Sequence, residues 1–184
     1  MQHPFDGIAA APAGLAEGFE APAPSGAAEP ACVVLGIGNT LLCDDGVGVH
    51  VIRALRRDAA RFPGVELIDG GTLSFTLAGT VAAARALVIV DAADLDAPAG
   101  TVGVFVGDDM DHRLAHARRS SVHEVSLFDL MAISRLSGDW PARRALVAIQ
   151  PGLVGWGEAP SAAVGEAVPE ACRAVSRLLR SWRL

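Results

Sequence analysis

Short apolar runs that end in glycine or aspartate alternate along this chain with stretches whose apolar residues return at helical spacing, and few folds accept that alternation. "ACVVLGIG" (31–38) reads as a buried strand, and residues 46–60 as a helix with Val47, Val51, Ile52 and Leu55 on one face. "VELIDGG" (65–71) is a second strand and "LSFTLAGTVAAA" (73–84) a second helix. "ALVIVDAAD" (86–94) is apolar almost without interruption, as a strand covered on both faces must be. "GTVGVFVGDD" (100–109) is a fourth strand, and "DDMDHRLAHARRSS" (108–121) reads as an exposed loop. "HEVSLFDLMAISRL" (123–136) is a helix, "RRALVAIQP" (143–151) a fifth strand, and "GLVGWGEAPS" (152–161) a glycine-rich loop. A last helix carries Val164, Val168, Cys172, Val175, Leu179 and Trp182, with Pro169 marking a kink or its true first turn. The expected fold is a three-layer α/β/α sandwich on a mostly parallel five-stranded sheet, formed by one domain over residues 31–184.

Residues 1–30 lie outside that pattern. They are rich in Ala, Pro and Gly, contain no Lys or Arg, and lack the basic start and apolar core of a secretory signal. They are expected to be a disordered extension. No apolar run approaches the length of a membrane span, and a net charge of −6 argues against a nucleic-acid partner. All fifteen basic residues are arginine, which excludes every mechanism that needs a lysine. Cys32, Cys43 and Cys172 are widely spaced and form no CxxC and no disulfide framework, so a reducing, cytoplasmic setting is expected.

In a parallel sheet, ligands bind at the carboxyl ends of the strands, where strand order reverses. Three loops bring acids to that edge: Asp44 and Asp45 after the first strand, Asp69 at the end of the second, and Asp91 at the end of the third, with Asp94 and Asp96 beyond it. His123 opens the helix before the fifth strand. Carboxylates with an imidazole make a site for a cation, and the mixed donor set suits a borderline first-row metal such as nickel or zinc. Asp44 taken alone reads as a cap of the first helix. Asp69 divides evenly between ligand and turn residue, because "DGG" is also good turn chemistry. His50 is expected to face solvent with Arg53 and Arg57.

Other chemistries fit less well. The run from Gly36 and Gly38 has Leu41 where a dinucleotide fingerprint needs its third glycine, and two aspartates would repel a pyrophosphate. A phosphoacceptor domain would need a lysine. No nucleophile elbow is present. His112 and His116 stand four apart without the intervening glutamate of a zincin. A magnesium-dependent small-molecule enzyme on the same scaffold would not call for His123.

Taken together, "GIGNTLLCDDGVGV", "DGGT", "VIVDAAD" and "SVHEVSLFDLMAI" resemble the [NiFe]-hydrogenase maturation endopeptidases, from about Val33 to the last helix. The resemblance implies a cytoplasmic protease that removes the C-terminal extension of the hydrogenase large-subunit precursor once nickel is in place. It implies that the nickel is carried by the substrate and recognised by Asp45, Asp91 and His123, with Asp69 matching a further acid of the family pattern. The first carboxylate is often Glu in this family, and Asp45 is one methylene shorter. Nothing demands more than a monomer. The competing expectation is a nickel-binding chaperone or assembly checkpoint that leaves the precursor's tail intact.

Overall fold

The computed structural model describes residues 31–72, 77–116 and 131–184, the side chain of residue 116 excepted. The N-terminal segment 1–30, the first residues of the expected second helix, and the segment that carries His123 lie outside the described residues.

Five strands form one sheet in the order β2-β1-β3-β5-β4: β1 Cys32–Ile37, β2 Val65–Gly71, β3 Ala86–Ala92, β4 Val102–Val106 and β5 Arg143–Ile149. The pairs β1–β2, β1–β3 and β3–β5 are parallel; β4 lies antiparallel along β5 at the edge. Alternate residues of each central strand point to opposite faces, and both faces are buried. Val34, Val88, Val90, Val147 and Ile149 pack on α1 (Val47–Arg56) and α5 (Ala162–Ser181). Val33, Leu35, Ile37, Leu87, Ile89 and Leu146 pack on the other side, where Val81 of α2 (Ala78–Ala83) and Met110 of α3 (Asp108–His116) close the core. Helical residues 131–136 (α4) precede β5. The result is the three-layer sandwich expected from the alternation. Among the described residues no helix is long and apolar enough to cross a membrane.

Two expectations are corrected. Residues 108–116 are a helix, not a loop. Asp108, Asp109 and Asp111 sit in its first turn, where the helix dipole favours negative charge, and Met110 and Leu114 anchor it on the core. Asp111 is buried because Arg144 of β5 meets it with two hydrogen bonds, of 2.9 and 2.6 Å, and the Trp140 indole N–H donates a third at 3.2 Å. Of the two readings of Pro169, the first turn of the last helix is excluded. α5 begins with Ala162 and runs through it. The proline ring is exposed, so the hydrogen bond it cannot make faces water while Val164, Ala167, Ala171 and Val175 stay in the core.

The strand order reverses between β1 and β3. From β1 the chain steps to β2 on one side, then returns past β1 to place β3 on the other. The crevice between the carboxyl ends of β1 and β3 is therefore the switch point of this sheet.

Candidate functional site

The loop after β1 is shaped by glycines at close quarters. Gly38 has φ +131°, and a Cβ there would stand 1.8 Å from the Asp45 carbonyl oxygen. Only glycine can occupy that position. Its N–H donates to the Gly71 carbonyl at 2.7 Å, which ties the loop to the end of β2. Cys43, with φ 50°, starts a single 3-10 turn, Cys43–Gly46, that leads into α1. A Cβ on Gly48 would lie 2.2 Å from the Val90 oxygen and 2.3 Å from the Ile37 oxygen, so the bare glycine lets α1 settle onto the ends of β1 and β3 together.

This seating brings two acids to the switch crevice. Asp45 sits in the 3-10 turn and Asp91 follows Val90, the residue of β3 that registers with Gly36 of β1. Both are buried, each with 6% exposure. The Asn39 N–H donates to Asp45 Oδ2 at 2.7 Å and sets the orientation of that carboxylate. The Asn39 side chain accepts from the Leu41 N–H at 3.0 Å and stabilises the turn that makes this possible.

Asp44 does not cap α1. It points the other way and is fully buried. Its carboxylate accepts from the backbone N–H groups of Gly152 (2.8 Å), Leu153 (2.7 Å) and Ser161 (2.6 Å), and from the Ser161 hydroxyl (2.9 Å). Burial alone would push this carboxyl up; the donors from Leu153, Ser161 and Gly152 outweigh it and hold the group below the usual carboxylate range. Two further bonds bolt the same loops together: the Cys43 N–H donates to the Gly157 carbonyl at 2.8 Å, and the Gly157 N–H to the Leu41 carbonyl at 2.9 Å. The Cys43 thiol is buried against Gly157, where an added Cβ would stand 2.5 Å from the sulfur.

The remaining acids of that edge play other parts. Asp69 is exposed; its Oδ1 accepts the Gly71 N–H at 3.1 Å in a turn, and its Oδ2 lies 3.6 Å from the Arg53 guanidinium. Asp94 accepts the Asp96 N–H at 3.1 Å, and both are exposed. His50 does not face solvent as expected. It is half-buried, and its Nε2 is enclosed without a hydrogen-bond partner. Burial and the neighbouring Arg53 push this imidazole below its ordinary value, against the opposing pull of Asp69. His123 lies outside the described residues. Among the described residues no three His, Cys, Asp or Glu side chains gather as metal ligands. Of the four residues singled out from sequence, the structure brings Asp45 and Asp91 to one crevice and leaves Asp69 at the neighbouring strand end.

Comparison with known proteins places this architecture among α/β peptidases. The hydrogenase maturating endopeptidase HybD from E. coli superposes with a TM-score of 0.74 at 28% identity, over 82% of this chain and 92% of that one. The hydrogenase maturation protease family (HycI) matches residues 49–178, and the chain belongs to that family. Its relatives include a hydrogenase expression/formation protein HupD from Thiocapsa roseopersicina, 37% identical over 123 residues, and another from Rhizobium leguminosarum bv. viciae, 33% identical over 154. These alignments cover 67% and 83% of this chain. The chain matches 55% of the length of the first relative and 76% of the second.

Proposed function

We propose that the protein is an endopeptidase that removes the C-terminal extension of a [NiFe]-hydrogenase large-subunit precursor after nickel insertion. The observation that carries this reading is the pair of buried carboxylates, Asp45 and Asp91, at the switch crevice of a hydrogenase maturation protease fold. A cleft that concentrates buried acids suits recognition of a cation and attack by water.

In this mechanism the nickel arrives as part of the substrate. Asp45, Asp91 and His123 grip it and so position the scissile bond over the carboxyl edge of the sheet. A metal held there would supply Lewis acidity toward the scissile carbonyl; a carboxylate of the crevice takes the proton from the attacking water and returns it to the leaving amine as the C–N bond breaks. Asp69 at the end of β2 is the further acid of the edge, held in place by Gly71 and Arg53. The protein works as a monomer in the cytoplasm, where precursor and metal meet.

A processing assay tests the reading. The purified protein is mixed with nickel-loaded and with nickel-free precursor, and precursor mass is followed. Loss of a C-terminal peptide from the loaded form alone is the expected result. A cognate precursor that binds and is never cut would instead make the protein an assembly checkpoint.

A further inference from the structure

The loop 152–161 presents large apolar side chains to solvent in a way the rest of the domain does not require. Trp156 is 87% exposed, Val154 59%, Leu153 54%, and Leu41 from the facing loop 49%. Side chains of this size are normally buried, and a cluster of them at one edge marks a contact surface.

The loop that carries them is rigidly held. Leu153 uses its own N–H and C=O on Asp44, with N–H to Oδ2 at 2.7 Å and C=O to the Asp44 N–H at 3.1 Å. The Leu42–Gly157 bridge fixes the far side of Trp156. A fully buried carboxylate thus holds an exposed apolar surface in one place, and preorganisation of that kind lowers the cost of binding. The anchor is also the sequence neighbour of Asp45. The loop that carries Asp45 and the loop that carries the apolar surface are hydrogen-bonded to each other through Asp44 and through the Leu42–Gly157 bridge.

We infer that Leu41, Leu153, Val154 and Trp156 form the surface on which an apolar segment of the precursor polypeptide, adjacent to its metal, docks. This rests on the function proposed above. A polypeptide that delivers a metal to Asp45 must pass over the loops that flank it, and these four are the large apolar side chains those loops expose. The metal supplies the check that the precursor is loaded; the apolar surface supplies recognition of which polypeptide carries it. Trp156 is the anchor, as exposed tryptophans commonly are in such contacts.

The test compares binding and cleavage of nickel-loaded precursor by the wild type, Trp156→Ala, the double change Leu153→Ser with Val154→Ser, and the control Leu136→Ser. Leu136 is 90% exposed on α4 and outside this surface. The loop variants should raise Kd by about tenfold or more, with the loss of processing falling on KM. The control should match the wild type. All variants should share the wild-type unfolding midpoint, because every altered side chain is exposed. Equal Kd for wild type and loop variants overturns the inference, as does an equal loss in the control or no binding by the wild type. Binding without cleavage by the wild type would sink the endopeptidase reading alone, and the Kd comparison would still decide the docking surface.

Discussion

Asp44 accepts both the backbone N–H and the hydroxyl of Ser161, a residue 117 positions further along the chain. Ser161 is the N-cap of α5, so a side chain from the first loop of the domain fixes the start of its last helix. The cap is inverted relative to the usual case: the residue at the helix start is held by an acid from elsewhere instead of using its own oxygen on the first turn. Replacing Asp44 with Ala would remove the acceptor of three part-buried backbone N–H groups and of the Ser161 hydroxyl. The expected loss of stability is about 3 kcal/mol or more, read from urea unfolding. A loss under about 1 kcal/mol would mean that water replaces the carboxylate.

Asp45→Asn and Asp91→Asn keep size and remove charge. Both variants should fold with near wild-type circular dichroism and fail to process nickel-loaded precursor. Full processing by either would remove that residue from the proposed site.

Acid should destabilise the domain in two stages. Asp44 and Asp111 are held below the unfolded value of about 3.9, so their contribution is complete above that pH and disappears as the pH falls through the folded values. His50 is also depressed, but its charged form is the protonated one. The unfolded chain takes up that proton below about pH 6.5 while the folded chain resists it, so stability begins to fall there. His50→Gln should flatten the upper stage and leave the lower one, as measured by urea midpoints across the pH range. An unchanged upper stage would assign it to another histidine.

Arg144 makes ion pairs with Asp111 at 2.6 Å and with Asp108 at 2.9 Å. Arg144→Met would leave the buried Asp111 carboxylate with only the Trp140 N–H at 3.2 Å and the Arg135 guanidinium at 3.4 Å, at a cost of up to about 3–5 kcal/mol. Adding Asp111→Leu should recover much of that loss, since replacing a buried pair with apolar groups is far less costly than breaking it. No recovery in the double variant would show that α3 depends on Asp111 for more than charge balance.

Gly48→Ala would drive a methyl group into the Val90 and Ile37 carbonyls. The expected cost is about 2–3 kcal/mol, together with loss of processing, because α1 and the turn carrying Asp45 would lift from β3. Thermal unfolding and the precursor assay read the two effects separately.

The strands were legible because their apolar runs are short, sharply bounded and buried on both faces; "VELIDGG" matches β2 residue for residue. α3 was not, because its three acids look like loop until the dipole of a helix and the Arg144 guanidinium are there to receive them. The acids at the strand ends are visible in order, and β1–β3 pairing together with the seating of the 3-10 turn and α1 on β3 sets Asp45 and Asp91 at one end of the sheet. The role of Asp44 was hidden. Its donors lie 108 to 117 residues away, and no local pattern marks a carboxylate that will be satisfied from the far end of a domain. The half-burial of His50 is hidden for a similar reason: a polar residue three and seven positions before Arg53 and Arg57 looks solvated, whereas Arg53 lies 3.6 Å from Asp69 and this side of α1 faces the end of β2.

The long separation between Asp44 and its donors also sets an order of events during synthesis. The sheet can begin to assemble from β1, β2 and β3 while the rest of the chain is still on the ribosome. The first loop cannot close then, because a carboxylate buried without its N–H partners is too costly to hold. It closes only after Ser161 has emerged. The loop that carries Asp44 and Asp45 is therefore completed by a residue from the far end of the domain, after the strands on either side of it have been made.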